Sequence, residues 1–466
     1  MTNTKKILLL LPDGIGMRNF AYTDFLKIAA SQGLDTVFWN DTALDLASMG
    51  YSEVRARGGI HRKSQMLKTL RTEFDLRENI RRSGDAIYSR YRFPFSYKTV
   101  RQAVKSVWMN AWLASHGSNS GSLKVRKQIK SLERSTAYYR ECRELLEREK
   151  PDLLFCTNQR IARAIAPILA AQDLKIPTAT FIFSWDNLPK ATMALEPDWY
   201  FVWSQHMKAE LTQYHDYVSP QQILVTGTPQ FEPHFQRDRI LPRAVFLAQY
   251  NLNPDRKYIC FSGDDVTTSP NDPQYLEDAA AAVGQLNRSG HDLGIIFRRC
   301  PVDFSDRYDA VLKKFGDIIT PLDPKWQKTG DTWNTVFPTN DDLNLQVNTI
   351  AHCEMVINLG SSMVFDFVTA NKPCAYINYD VPHTAVKGWS VNTIYKFVHF
   401  RSMPSKNAVL WINSADDLTG VILEGLEGAP QTVAEANQWF RKINQHPANQ
   451  ASARIVEGMK KIMSNG

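Results

Sequence analysis

The sequence predicts an α/β protein built from two doubly wound, Rossmann-like domains facing a cleft, and three observations carry that expectation. Short apolar runs alternate with segments of helical spacing in both halves of the chain, the pattern of parallel sheets covered by helices. The alternation stops in a polar, proline-containing stretch after Gly227-Thr228-Pro229 and begins afresh beyond it. The length of 466 residues, at roughly 100–200 per domain, is enough for two or three cores.

Taken in order, residues 6–11 are an apolar run closed by Pro12-Asp13-Gly14, a buried strand ending in a turn. Residues 19–32 have helical spacing and 35–39 read as the next strand, which completes a βαβ opening. Residues 55–150 read as several helices, interrupted near Phe93-Pro94-Phe95 and again by a mobile loop over 116–122. Strands resume at 153–156, 178–183, 199–203 and 223–226. Beyond the linker they lie at 258–261, 293–297, 355–358 and 374–377. The expected organisation is therefore a first domain, 1–228, with a basic helical insertion at about 55–150, a second domain, 229–430, and a helical tail, 431–466.

With 43% apolar and 22% charged residues the composition is that of a folded globular protein, which excludes long disordered, collagenous and coiled-coil readings. No apolar run approaches the roughly 20 residues of a membrane span, and the run before Pro12 is too short for a signal peptide. Six cysteines stand singly, without zinc-site spacing, so the expected compartment is a reducing cytoplasm. The net charge of +7 is uneven. Residues 51–150 hold 23 Lys and Arg against 10 Asp and Glu, a net of +13, so the remainder carries −6. Such a segment attracts an anionic partner, whether nucleic acid, a phosphorylated substrate or the inner face of a membrane, to which it would bind peripherally.

Several chemistries lack their residues. No Gly-Lys-Ser/Thr follows a glycine-rich turn, which removes P-loop hydrolysis. Gly14-Ile15-Gly16 has two glycines of a dinucleotide fingerprint, but Asn19 stands where the third belongs. No His-Glu-x-x-His, Gly-x-Ser-x-Gly or Asp-x-Asp pair appears, so neither a metal site nor a cofactor is expected.

What is present lies at strand ends. Asn358-Leu359-Gly360-Ser361-Ser362 closes a strand with a glycine turn and two hydroxyls, where unpaired N–H groups would hold a phosphate without metal. Asp366, one turn on, would accept hydrogen bonds from a ribose. Ser262-Gly263 and Arg298-Arg299 end two further strands, and ligands of open α/β sheets sit beyond such ends.

Gly360-Ser361-Ser362 with Asp366 and Lys372-Pro373, preceded by 298–301, resembles the donor-binding half of GT-B glycosyltransferases. The resemblance is nearest to bacterial surface-polysaccharide enzymes and their CDP-glycerol glycerophosphotransferase relatives. Trp203-Ser204-Gln205-His206-Met207-Lys208 and 225–231 are similar to the end of their first domain and its linker, and the match is weak over 40–150. The sequence departs from the family's basic-His-Pro pattern at Cys300.

The resemblance implies a nucleotide-sugar donor held by Ser262, Gly263, Arg298, Arg299, Gly360, Ser361, Ser362 and Asp366 of the second domain. It implies an acceptor, a glycan or lipid-linked saccharide, bound by the first domain, with Gly14, Arg18, Asn158, Trp185 and Asn187 as its contacts. Asp13 or Asp186 would be the general base, with Arg18 keeping Asp13 ionised and Trp185 beside Asp186 forming an acceptor platform. Retaining relatives carry paired glutamates, whereas 355–423 contain no Glu, which favours inversion by direct displacement. Two alternatives stand beside this reading. One is transfer of a polyol phosphate from a CDP-linked donor. The other is a non-catalytic nucleotide- or RNA-binding protein that stacks bases on the aromatic and basic residues of 88–101, although no RNA-binding motif supports it and nucleic acid is not favoured.

Overall fold

The computed structural model describes residues 4–92, 95–328 and 336–464. It divides into two compact units, Met1–Pro229 together with Ile443–Gly466, and Gln230–Lys442.

The first unit is built on seven parallel strands: β1 (Lys5–Leu11), β2 (Leu34–Asn40), β3 (Glu53–Val54), β4 (Leu153–Cys156), β5 (Thr178–Phe181), β6 (Trp199–Val202) and β7 (Ile223–Val225), in the order β3-β2-β1-β4-β5-β6-β7. Ile7 to Leu11 are all fully buried, as expected of a central parallel strand covered on both faces, and this is why the run is apolar without alternation. Leu8 pairs with Val37 on one side and Leu154 on the other.

The helix expected over 19–32 is two short ones, Ile15–Phe20 and Phe25–Ser31. The Thr23 hydroxyl donates to the Asn19 carbonyl and accepts from the Phe25 N–H, which turns the chain between them. The insertion forms four longer helices, Ser64–Ser83, Val100–Ser115, Ser118–Arg134 and Ala137–Glu149. The loop expected over 116–122 is mostly the start of the third. Its glycine is there for packing: a Cβ on Gly121 would lie 2.4 Å from the Phe74 ring. Of the interruption at 93–95, Phe93 and Pro94 lie outside the described residues.

Part of the basic charge is spent inside this unit. Arg126 makes a bidentate pair with Glu196 (2.5 and 2.8 Å), Lys130 reaches the same carboxylate (2.6 Å), and buried Arg71 donates to the Ala194 carbonyl and the Tyr217 hydroxyl. Burial alone would raise the Glu196 carboxyl, but the Arg126 hydrogen bonds and these cations bring it down to about 2. The C-terminal helix Ala451–Ser464 belongs to this unit, with Arg454 Nε donating to the Thr226 carbonyl (2.7 Å).

The second unit has six parallel strands, β8 (Lys257–Ser262), β9 (Leu293–Arg298), β10 (Ile319–Pro321), β13 (Val356–Asn358), β14 (Cys374–Ile377) and β15 (Leu410–Ile412), in the order β10-β9-β8-β13-β14-β15. An antiparallel pair, β11 (Gln327–Lys328) and β12 (Val336–Phe337), stands apart. The strands not anticipated from sequence are β3, β10 and β15, all at sheet edges, and the β11–β12 pair, and each is two or three residues long. Each sheet has one place where strand order reverses, between β1 and β4 in the first and between β8 and β13 in the second. In open α/β sheets ligands bind beyond the carboxyl ends of the strands at that place.

Candidate functional site

In the first unit the loops after β1 and β4 meet at the reversal point. Asp13 follows β1 and is buried; its Oδ2 accepts from Asn158 Nδ2 (2.5 Å) and its Oδ1 from the Ile15 N–H (3.2 Å). Burial pushes the Asp13 carboxyl up to about 6, while the Asn158 amide, the Ile15 N–H and the Arg160 charge pull the other way. Arg18, expected to keep Asp13 ionised, is not among the groups acting on it. The cation that does act arrives from the β4 loop, because β1 and β4 are neighbours. Asn158 is itself oriented, its Oδ1 accepting from the Arg160 N–H (2.9 Å).

Gly16 explains the partial glycine fingerprint. A Cβ there would lie 2.5 Å from both Leu11 Cδ2 and Thr157 Oγ1, so this glycine lets the helix Ile15–Phe20 close on the strand ends. Gly14 precedes that helix with an ordinary negative φ, and Arg18 lies in its last turn.

The β5 loop joins this site through Gln159, whose Nε2 donates to Asn187 Oδ1 (2.9 Å). Asn187 is buried and donates in turn to Asp186 (2.9 Å). Asp186 also accepts from Ser184 Oγ (2.6 Å) and is ion-paired with Lys190. Trp185, expected as the acceptor platform, is buried at 8% exposure.

In the second unit Ser262 and Arg298 are opposite each other at the ends of β8 and β9, and Arg298 O accepts from the Gly263 N–H (2.9 Å). Gly263 is confined: a Cβ would lie 2.9 Å from the Tyr308 hydroxyl and 3.1 Å from the Phe297 ring. Buried Asp272 holds the same loop, its Oδ2 accepting from the Asp264 N–H (2.5 Å) and the Tyr308 hydroxyl (3.1 Å), its Oδ1 from Ser269 Oγ (2.5 Å). Burial raises this carboxyl too to about 6, against those hydrogen bonds and the Arg307 charge. Arg307 ties the loop a second time, donating to the Ser269 and Asp264 carbonyls (both 2.6 Å).

Arg298 is buried, at 8% exposure, and its Nη2 donates to Asp342 Oδ1 (3.1 Å), while its Nη1 has no hydrogen-bond partner among the described residues. Asp342 also accepts from Trp326 Nε1 (2.7 Å) and the Lys325 N–H (2.9 Å). Arg299 is turned elsewhere, donating to the Ser305 carbonyl (2.7 Å) with its guanidinium 5.3 Å from the Tyr308 ring.

After β13 the turn takes the shape the sequence predicts. Gly360 has φ +67, a left-handed conformation, and a Cβ there would lie 3.0 Å from the Phe400 ring. The Ser361 N–H donates to Asn358 Oδ1 (2.8 Å), and Ser361 Oγ accepts weakly from the Met363 N–H (3.4 Å). Ser362 begins the helix Met363–Val368 without a side-chain cap, so capping does not account for its hydroxyl. Asp366 departs from expectation. Its carboxylate is buried and accepts from His234 Nε2 (2.8 Å), so it faces the chain's own histidine where a ribose was expected. Nδ1 of His234 is buried with no hydrogen-bond partner among the described residues.

Gln159, Arg160, His234, Asp272, Arg307 and Asp342 were missed in the sequence. The first two follow a strand end and were within reach of the rule that found Asn158; Asp272 binds mainly its own loop, and His234, Arg307 and Asp342 act across long sequence separations. Among the described residues no group of three His, Cys, Asp or Glu is placed to hold a metal.

No family model and no curated protein matches the chain. Solved structures do. A UDP co-structure of MnaA from S. aureus is 14% identical, with 99% of this chain and 97% of that one covered at a TM-score of 0.54. A UDP-GlcNAc 2-epimerase from Methanocaldococcus jannaschii is 11% identical, covering 98% and 99%, at 0.53. A glycosyltransferase from Rickettsia africae is 11% identical, covering all of both chains, at 0.52. The likeness is one of fold. The chain has a GT-B-like fold of two parallel-sheet α/β domains.

Proposed function

We propose that this chain is a nucleotide-sugar-dependent glycosyltransferase of GT-B type that moves a sugar to a surface glycan or lipid-linked saccharide with inversion and without a metal. The observation that carries the reading is the contrast between the two reversal points. One holds a carboxylate that burial pushes up to about 6, and the other a glycine–serine turn, in a sheet whose β9 ends in a buried arginine with a spare N–H. The structures of similar fold include one with UDP bound, a sugar-nucleotide epimerase and a glycosyltransferase, which supports a nucleotide-sugar ligand.

In this reading the backbone N–H and the hydroxyl of Ser362 and Arg298 Nη1 receive the diphosphate, while the Ser361 N–H, bonded to Asn358, fixes the turn. The acceptor hydroxyl oxygen bonds to the anomeric carbon, Asp13 takes its proton, and the bond to the diphosphate breaks with its electrons on the leaving phosphate. A carboxylate with a pKa near 6 is a stronger base than an ordinary one and is still ionised at neutral pH. Asn158 orients it. His234 and Asp366 brace the start of the helix that carries the serines.

The second reading, epimerisation of the sugar nucleotide itself, is favoured by the epimerase among the similar folds. One experiment separates the two. The protein is screened by thermal shift against uridine, thymidine, guanosine and cytidine diphosphates, and the sugar forms of the best base are then incubated with and without lipid-linked acceptors in EDTA. Transfer predicts nucleoside diphosphate released only with acceptor and undiminished by EDTA. A CDP-linked polyol as the only donor consumed would favour polyol-phosphate transfer. Conversion of the donor to its epimer without acceptor, or stabilisation by no nucleotide, would overturn the proposal.

A further inference from the structure

One surface feature has no part in either strand-end site. The helix Val100–Ser115 buries Ser106, Met109 and Leu113, and Trp108 and Trp112 pack half-buried against the same core. Both tryptophans therefore face inward. The opposite side of the helix is apolar as well. Val100, Val104 and Val107 are 81%, 64% and 62% exposed, and at 100° per residue they fall with Ala111 within an arc of roughly 60°. Single exposed valines are ordinary, but a stripe of them along one helix is not.

The charge around the stripe is one-sided. Residues 86–132 contain nine Lys and Arg and no Asp or Glu, and three of the nine, Arg92, Arg126 and Lys130, are ion-paired with Glu73 and Glu196 of the same unit. Arg101 and Lys105 are exposed on the helix itself and Lys98 just before it. Among the described residues no helix is long and apolar enough to cross a membrane. An apolar stripe flanked by cations suits an element that lies in the plane of an anionic lipid surface. A second copy of this chain fits poorly, since the stripe would bring the exposed Lys98, Arg101 and Lys105 of both copies together.

We propose that the outer face of Val100–Ser115 docks on an anionic bilayer, with Val100, Val104 and Val107 at the acyl boundary and Arg101 and Lys105 on lipid phosphates. The inference is independent of the transfer reading and holds whatever the two strand-end sites bind.

The test is co-sedimentation of the full chain with phosphatidylcholine vesicles, alone or with about 30% phosphatidylglycerol, over a salt series. Binding is expected only with the anionic lipid and should weaken as salt rises. Val104→Glu with Val107→Glu should lower partitioning at least about tenfold, and Arg101→Gln with Lys105→Gln about fivefold per charge removed. Neither pair should change nucleotide affinity or melting temperature, because all four side chains are exposed. Should the glutamate pair fail to fold, Val104→Ser with Val107→Ser carries the same test. Equal binding to neutral vesicles, or unchanged partitioning of the valine variants, would overturn the proposal. So would a dimer in sedimentation that the valine variants dissolve without any vesicle binding.

Discussion

The two sheets of this protein reverse strand order in the same way, yet the chemistry at the two reversal points is opposite. Beyond β1 and β4 stand a carboxylate and carboxamides; beyond β8 and β13 stand glycine turns and hydroxyls, with an arginine at the end of β9 beside β8. Each region also contains one buried aspartate raised to about 6 by burial, Asp13 in the first and Asp272 in the second. Their surroundings separate them. Asp272 accepts three hydrogen bonds from one loop and its neighbour, with Arg307 4.0 Å away, and its task is to hold that loop. Asp13 accepts two, one of them from an oriented side-chain amide at a strand end, and no loop depends on it in the same way. A raised pKa thus does not distinguish a base from a brace; the hydrogen-bond partners do.

The sharpest way to break this comparison is Asp13→Asn. It removes the proton acceptor at nearly constant shape, so turnover should fall at least about a hundredfold while nucleotide affinity stays unchanged. In the wild type kcat/KM should be lost as pH falls through about 6, since the base must be ionised to accept a proton. Stability moves the other way. A buried carboxyl raised above its unfolded value binds more protons in the native state, so stability is lost as pH rises from about 4 to 6 and stays lower above that. At about 1.4 kcal/mol per pKa unit the Asp13 contribution to that slope is of order 2–3 kcal/mol. Chemical denaturation of Asp13→Asn at pH 4.5 and 7.5 should show the slope reduced. An unchanged slope together with unchanged turnover would remove Asp13 from the site.

On the other side the next largest effect belongs to the turn. Gly360→Ala forces a left-handed residue and a Cβ against Phe400 at 3.0 Å, which costs about 1–2 kcal/mol and displaces the Ser361 and Ser362 amides. Nucleotide affinity should drop about tenfold to a hundredfold by calorimetry. Arg298→Lys keeps a charge but replaces the planar fork, and the loss should be about tenfold. Neither change should shift the pH at which the Asp13-dependent step is lost, because they act in the other unit. A moved pH profile would show that the two regions do not have separate tasks.

The contrast between the regions was only half legible in the sequence. The central strands were readable because a parallel strand buried on both faces leaves an unbroken apolar run, as in Ile7 to Leu11. β3, β10 and β15 were not, because two or three edge residues carry no period. Asp13 and Gly360 were found because turn residues at strand ends are a local signal. The cation beside Asp13 was assigned to Arg18, five residues on, when it is Arg160, which strand order brings near. Asp366 was given a ribose because nothing local announces His234, 132 residues earlier in the chain. The same reason hides Arg307 and Asp342. The glycine- and serine-rich run at 116–122 was read as a loop because composition does not distinguish a glycine chosen for mobility from one, Gly121, chosen to fit beneath Phe74.

His234→Gln sharpens the donor side with a smaller effect. Glutamine can still donate to Asp366 but fills the site differently, so the start of the helix Met363–Val368 should loosen and nucleotide affinity fall about threefold to tenfold. His234→Ala removes the short donor and leaves the buried Asp366 carboxylate with only the long Gln346 Nε2 contact (3.5 Å), which should cost about 1–3 kcal/mol in stability by denaturant titration. If His234→Gln restores stability but not affinity, the histidine has a role beyond bracing.

The smallest effect is expected at Asp186, the other carboxylate beside the first reversal point. It accepts from Ser184 and Asn187 and is ion-paired with Lys190 on its own loop, so its lone pairs are already committed. A base needs an oxygen free to meet the acceptor hydroxyl, whereas an aspartate bound three ways within seven residues serves to shape a turn. Its ion pair is partly exposed, with side chains 37% and 20% accessible, and pairs of that kind contribute about 1 kcal/mol or less. Asp186→Asn keeps the acceptor for one donor and loses the charge, so melting temperature should fall slightly and turnover by less than about fivefold, with the pH profile unmoved. The comparison with Asp13→Asn is decisive because both lie in one unit and on loops linked through Gln159 and Asn187. Loss of turnover at Asp186 with normal turnover at Asp13 would reverse their roles, and the pH at which activity is lost would then no longer follow the burial of Asp13.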